Sequence, residues 1–166
     1  ALIGEPNAGK STLLNHLIGT KISIVTHKVQ TTRSRIRGVT IIDNSQLVFV
    51  DTPGLFKPKR RLERSMVKAA WSEASEADII VFLIEANKGL TEGVKYNLEK
   101  LREFRTSASV IILAINKIDR VKSQSLLKIT KELNKEYEFE DTFFISATKG
   151  YGLLELKKWI AGKVPV

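Results

Sequence analysis

A segment near the start of the chain has the residue types and spacing of a phosphate-binding loop. It matches G-x-x-x-x-G-K-[ST] at every fixed position and lies between an apolar run and a helical pattern. Glycines let the backbone wrap a phosphate, and N–H groups at the helix start bind the anion. Lys10 would reach the β- and γ-phosphates, and the Ser11 hydroxyl would ligate Mg²⁺. The predicted nucleotide contacts here are Gly4, Glu5, Pro6, Asn7, Ala8, Gly9, Lys10, Ser11 and Thr12.

A second polar group, Asn116-Lys117-Ile118-Asp119, directly follows an apolar run and indicates which base is bound. A carboxylate can accept two hydrogen bonds from guanine, through N1–H and the exocyclic amine, whereas adenine has no such donor pair. We therefore predict a guanine site in which Asp119 is the acceptor. Asn116 would fix the loop and contact the base, the stem of Lys117 would cover one ring face, and Ile118 completes the segment.

A third segment, Asp51-Thr52-Pro53-Gly54, follows another strand pattern and is predicted to lie beside the phosphates. Asp51, at the carboxyl end of that strand, would hold Mg²⁺ through water. The backbone N–H of Gly54 would sense the γ-phosphate. Thr52, Pro53 and the following Leu55 complete the predicted contacts.

These segments need a scaffold that brings strand ends together, and the chain alternates β-like and helical runs accordingly. The expected fold is a single α/β domain over 1–166, a P-loop NTPase with three α/β/α layers. Its six-stranded sheet would be mostly parallel, with one antiparallel strand from a hairpin around residues 43–45. The predicted strands cover 1–3, 36–43, 46–50, 78–85, 110–115 and 143–145, and the predicted helices cover 10–18, 62–75, a segment capped by Thr91, and runs centred on 126–133 and 153–160.

Composition excludes several other classes of site. There are no cysteines and two histidines, which excludes disulfides, iron–sulfur clusters and Cys-based zinc sites. No apolar run is long enough to span a bilayer, and no targeting peptide is expected. The formal net charge of +9 favours a polyanionic partner such as RNA or an anionic lipid surface, although a solvated basic surface remains open. The basic residues cluster at 33–37 and 57–61.

Together with Ile145-Ser146-Ala147, these motifs occur in the order found in translation-factor-related small GTPases, which the chain resembles. The resemblance implies that Ser146 and Ala147 border the base and that the Ala147 N–H binds guanine O6. Residues 26–36 resemble switch I of the Era family of bacterial ribosome-assembly GTPases. The related Der and MnmE GTPases usually carry G-T-T-R-D there, and Gln30 and Ser34 depart from that string.

The resemblance also implies roles for the switch threonines. Thr32 would complete the Mg²⁺ shell when GTP is bound, with the choice between Thr31 and Thr32 left open. Leu55 occupies the position where Ras-like enzymes place a water-orienting glutamine, and leucine can neither donate nor accept a hydrogen bond. Either a cation or a partner would then supply the missing function, or turnover would be slow. Asn7, Thr26 and Thr31 are the candidate potassium ligands, and the expected catalytic residues are Lys10, Thr32 and Gly54.

The function implied by this resemblance is a GTP-hydrolysing switch in small ribosomal subunit assembly and 16S rRNA maturation. An RNA-binding KH domain would follow the end of this chain. The partners would be a guanine nucleotide, 16S rRNA and the small subunit, without DNA, and the location would be the cytoplasm with peripheral contact to the inner membrane. Two alternatives remain open: the GTPase module of a Der- or MnmE-like protein, and a GTP-dependent binding module whose hydrolysis is incidental.

Overall fold

The structure, a computed structural model, describes residues 2–4, 8–18, 35–42, 45–51, 71–72, 77–104 and 109–163. Strands and helices alternate along the described chain, as the hydrophobic pattern predicts. The strands are β1 (Leu2–Gly4), β2 (Arg35–Ile42), β3 (Ser45–Asp51), β4 (Ile79–Glu85), β5 (Val110–Asn116) and β6 (Thr142–Phe144). The helices are α1 (Lys10–Ile18), α2 (Glu92–Phe104), α3 (Ser123–Glu136) and α4 (Leu153–Lys163), with a 3₁₀ turn at Ile118–Arg120.

The strands form one sheet in the order β2-β3-β1-β4-β5-β6. Strands β3, β1, β4, β5 and β6 run parallel to one another, and β2 pairs with β3 in the antiparallel direction. Strand β2 is antiparallel to β3 because the connection between them is short, and a short connection can join only strands that run in opposite directions. The predicted α/β fold of the P-loop class, with a mostly parallel sheet, is confirmed.

Helices cover both faces of the sheet, which explains why β4 is apolar at six consecutive positions from Ile79 to Ile84. Successive strand side chains point to opposite faces. Ile79, Val81 and Leu83 pack with α1 and α4, whereas Ile80, Phe82 and Ile84 pack with α2 and α3. A strand buried on both faces therefore needs apolar residues at odd and even positions alike.

Helix α2 begins where the sequence predicts it. The Thr91 hydroxyl accepts a hydrogen bond from the Val94 N–H at 3.1 Å, which satisfies one of the unpaired N–H groups of the first turn. Predicted strand bounds differ from the observed ones by one residue at several ends, including Ser45, which opens β3 rather than forming part of the turn. Of the helix predicted over 62–75, only Trp71 and Ser72 are described, and both are helical. No helix in the described ranges is long and apolar enough to cross a bilayer.

Candidate guanine nucleotide site

The sheet brings the predicted motifs to one edge. Leu2 in β1 is in register with Asp51 at the end of β3, and Glu85 at the end of β4 is in register with Asn116 at the end of β5. Gly4, the last residue of β1, is in register with Leu83. In open parallel sheets, ligands bind outside the carboxyl ends of the strands, and this edge is that location.

The phosphate-binding loop leads from β1 into the N-terminus of α1. Ala8 is buried, and the carbonyl of Gly9 accepts the Leu13 N–H at 2.9 Å, so the helical hydrogen bonding begins at Gly9. Gly9 has a φ of 105°, and a Cβ added there would lie 2.3 Å from Nδ2 of Asn116. Glycine is therefore required at this position both by the backbone angle and by the close approach of Asn116.

Asn116 joins the phosphate-binding loop to the segment that carries Ser146 and Ala147. Its side chain is buried, Nδ2 donates to the carbonyl of Ala8 at 2.8 Å, and Oδ1 accepts the N–H of Ala147 at 2.9 Å. This geometry agrees with the loop-fixing role expected of Asn116. The N–H of Ala147, predicted to bind guanine O6, has Asn116 as its acceptor here, so a base contact would require that N–H to be shared or released.

Asp119 lies exposed on the 3₁₀ turn that follows β5, as a base-binding carboxylate must. Ser146 donates its hydroxyl to Oδ1 of Asp119 at 2.8 Å. That hydrogen bond is the largest cause holding the pKa of Asp119 below its ordinary value, with Arg120 and Lys149 adding to it. The carboxyl is thus ionised at neutral pH and acts only as an acceptor, which suits the two N–H donors of guanine.

Ser146 is buried and is held by its own turn. Its N–H donates to the carbonyl of Tyr151 at 3.0 Å, and its carbonyl accepts the N–H of Gly150 at 2.8 Å. Gly152 permits the tight packing of this turn, because a Cβ there would lie 2.4 Å from the carbonyl oxygen of Phe144. The hydroxyl that orients Asp119 is therefore set in place by the backbone.

Lys117 contacts a residue that the motifs did not single out. Its ammonium group forms an ion pair and hydrogen bond with the carboxylate of Glu85, the last residue of β4. Burial alone would raise the pKa of Glu85, but the hydrogen bonds from Lys117 and Lys88 outweigh it, and the pKa lies below its ordinary value. An acidic residue that ends an otherwise apolar strand at the ligand edge is the sequence signal that could have found it.

Several predicted site residues lie outside the described part of the chain. The backbones of Ser11 and Asp51 are described, in the first turn of α1 and at the end of β3 respectively. Within the described ranges, no group of three or more acidic or histidine side chains is placed to hold a metal ion. The predicted contacts outside those ranges are Glu5, Pro6, Asn7, Thr26, Thr31, Thr32, Thr52, Pro53, Gly54 and Leu55.

A glycine loop entering a helix at a parallel sheet edge, joined through Asn116 to a carboxylate suited to guanine, defines the GTPase class of P-loop proteins. Comparison with known proteins agrees with this class. The family described as 50S ribosome-binding GTPase matches residues 1–117, and the chain belongs to this family.

Curated proteins and solved structures that are similar to this chain include Era GTPases. GTPase Era of Dinoroseobacter shibae is 60% identical over 165 residues, covering 99% of this chain and 54% of the relative. GTPase Era of Brucella suis is 50% identical over the same length, covering 52% of that protein. The chain thus spans about half the length of the curated relatives it matches.

The crystal structure of a point variant of Aquifex aeolicus Era bound to GDP·AlF₄⁻ superposes with a TM-score of 0.77 at 40% identity, covering 99% of this chain and 56% of that one. A structure of Era in complex with MgGDPNP and nucleotides 1506–1542 of 16S rRNA matches with the same TM-score, identity and coverage.

Proposed function

We propose that this chain is the GTP-binding and GTP-hydrolysing switch of an Era-type protein. The observation that carries the proposal is the carboxylate of Asp119, exposed, ionised and held by Ser146 at the sheet edge. The chain's relatives are named GTPase Era, and one related structure holds GDP·AlF₄⁻. The neighbouring phosphate-binding loop would hold the phosphates of the same nucleotide at the N-terminus of α1.

Magnesium is proposed as the cofactor. Ser11, Thr32 and Asp51, the last through water, would hold it with hydroxyl and carboxylate oxygens, which are the donors that Mg²⁺ prefers. A bound Mg²⁺ would neutralise charge between the β- and γ-phosphates. The related Era structure with MgGDPNP supports this assignment by similarity. Potassium at Asn7, Thr26 and Thr31 remains a separate proposal.

The proposed partner is the small ribosomal subunit. The support is the 16S rRNA fragment bound by the related Era structure and the net charge of +9 carried by this chain. A KH domain outside this sequence would make the main rRNA contact, and the basic residues at 33–37 and 57–61 would add to it. The cytoplasm is the proposed location, and peripheral contact to the inner membrane is left open.

The alternative of a Der- or MnmE-like module is less well supported, because the relatives matched at 47–60% identity are named GTPase Era. The alternative of a binding module with incidental hydrolysis differs in its kinetics. A switch that cycles must be accelerated by its partner, whereas a passive binder need not be.

Single-turnover GTP hydrolysis separates these alternatives. A full-length Era-type protein that contains this chain and the proposed KH domain is mixed with limiting radiolabelled GTP and Mg²⁺, alone, with purified 30S subunits, or with purified 50S subunits at equal concentration and salt. The proposal expects Mg²⁺-dependent cleavage that 30S subunits accelerate and 50S subunits do not. Tight GTP binding with a rate that neither subunit changes supports the passive binding module. Acceleration by 50S subunits alone assigns the partner to the other subunit.

A further inference from the structure

Glu85 is a nearly buried carboxylate at the ligand edge of the sheet, with 7% of its side chain exposed. It pairs with two lysines. Lys117, with 19% of its side chain exposed, contacts one carboxylate oxygen, and Lys88, with 55% exposed, lies 3.2 Å from the other. Because solvent screens the Lys88 pair, the contact with Lys117 is the stronger of the two.

The backbone holds Lys117 in an uncommon conformation that brings it to Glu85. Lys117 has φ 63° and ψ 37°, and it is the one non-glycine residue with positive φ in the described ranges. The N–H of Ala86 donates to the carbonyl of Asn116 at 2.8 Å, so the chain leaving β4 runs beside the chain leaving β5. A left-handed backbone conformation at a residue with a long side chain costs free energy, and it persists where surrounding contacts hold it in place.

We propose that Glu85 is a positioning residue for the guanine base. Its carboxylate anchors the ammonium group of Lys117 on the protein side of the site. The methylene stem of Lys117 is thereby held extended where it can cover the ring face of a base bound by Asp119. This inference rests on the proposed function, and it assigns to Glu85 a role in base binding distinct from the base selection by Asp119.

The proposal separates two properties of nucleotide binding. Selection of guanine over adenine depends on the hydrogen bonds to Asp119, which Glu85 does not contact. The Lys117 stem over the ring face would stabilise any purine base bound in the site. Loss of the Glu85 carboxylate should therefore lower the affinities for GDP and GTP by equal factors. The ratio of guanine to adenine nucleotide affinity should stay unchanged.

The first test compares GDP affinity of the wild type with that of Glu85→Gln and Glu85→Asp. We expect Glu85→Gln to lower the affinity for GDP by about tenfold. At metal sites, removal of a residue that orients a ligand costs about 10- to 100-fold in affinity, and we take the lower end by analogy. Glu85→Asp keeps the charge and should bind more tightly than Glu85→Gln. The matched control is Glu92→Gln, which removes an exposed carboxylate paired with Lys95 at 3.5 Å and should leave GDP affinity unchanged.

A second test shows whether Glu85 acts on GDP binding through Lys117. Lys117→Met keeps most of the stem and removes the ammonium group that Glu85 anchors. If Glu85 acts through Lys117, then adding Glu85→Gln to Lys117→Met should cause no further loss of GDP affinity. A further tenfold loss in the double variant would overturn the proposal, as would equal GDP affinity in Glu85→Gln and the wild type. Failure of the wild type itself to bind GDP would instead refute the proposed function.

Discussion

Removal of the Asn116 side chain tests whether one amide joins the phosphate-binding loop to the base-binding segment. In Asn116→Ala, the carbonyl of Ala8 loses a donor at 2.8 Å and the N–H of Ala147 loses an acceptor at 2.9 Å. Both bonds are buried, and Asn116 itself is 2% exposed. The truncation therefore leaves two buried backbone groups without the side chain that pairs them in the folded protein.

The size of the effect follows from these two bonds. A typical intramolecular hydrogen bond contributes about 0.5–1.5 kcal/mol net, and a buried group left without a partner costs about 1–3 kcal/mol. Taking about 1–1.5 kcal/mol for each of the two bonds, we expect the free energy of unfolding to fall by about 2–3 kcal/mol. That is about a 30- to 150-fold change in the folding equilibrium.

The assay is urea unfolding of the nucleotide-free protein, followed by far-UV circular dichroism. The matched control is Asn134→Ala in α3, where Nδ2 also donates to a backbone carbonyl, that of Thr130, at 2.8 Å, but on an exposed surface. The control should lose less than about 0.5 kcal/mol, as surface substitutions usually do. Equal destabilisation by the two variants would refute the assignment of Asn116 as the buried link between the segments.

Three further predictions concern the base, the cation and pH. Asp119→Asn replaces the acceptor for guanine with a donor, so GTP affinity should fall and xanthosine triphosphate should compete; unchanged GTP-over-ATP preference would contradict the base assignment. If potassium takes the place of a water-orienting side chain, kcat at fixed ionic strength should be higher in KCl than in NaCl, and Asn7→Ala should remove the difference; equal wild-type rates exclude it. The pKa of Glu85 lies below its ordinary value of 4.5, so its ionised form stabilises the fold above that pH, and this contribution is lost as pH falls through the lowered folded value. The wild type should thus lose its unfolding-free-energy advantage over Glu85→Gln in acid, and a difference that stays constant with pH would contradict the ion pair with Lys117 and Lys88.

The order and type of the elements could be predicted from the sequence because they depend on local patterns. The uninterrupted apolar run of β4 requires cover on both faces, and the structure supplies helices there. The glycine loop before α1 and the Asn-Lys-x-Asp segment, which begins with the last residue of β5, each occur where a strand ends. Parallel strands in one sheet bring such ends to one edge, so the meeting of the motifs also followed from the pattern.

The contacts inside the site depend on distances that no local pattern contains. Asn116 bonds to Ala8 across 108 residues, and Lys117 pairs with Glu85 across 32. Strand order and register decide these partners, since they set which residues stand side by side at the edge. The sequence predicts that Asn116 contacts the base. It does not show that Nδ2 of Asn116 donates to the carbonyl of Ala8 and that Oδ1 accepts the N–H of Ala147. The same packing explains why Gly9 must lack a Cβ, because only the folded chain brings the Asn116 amide against it.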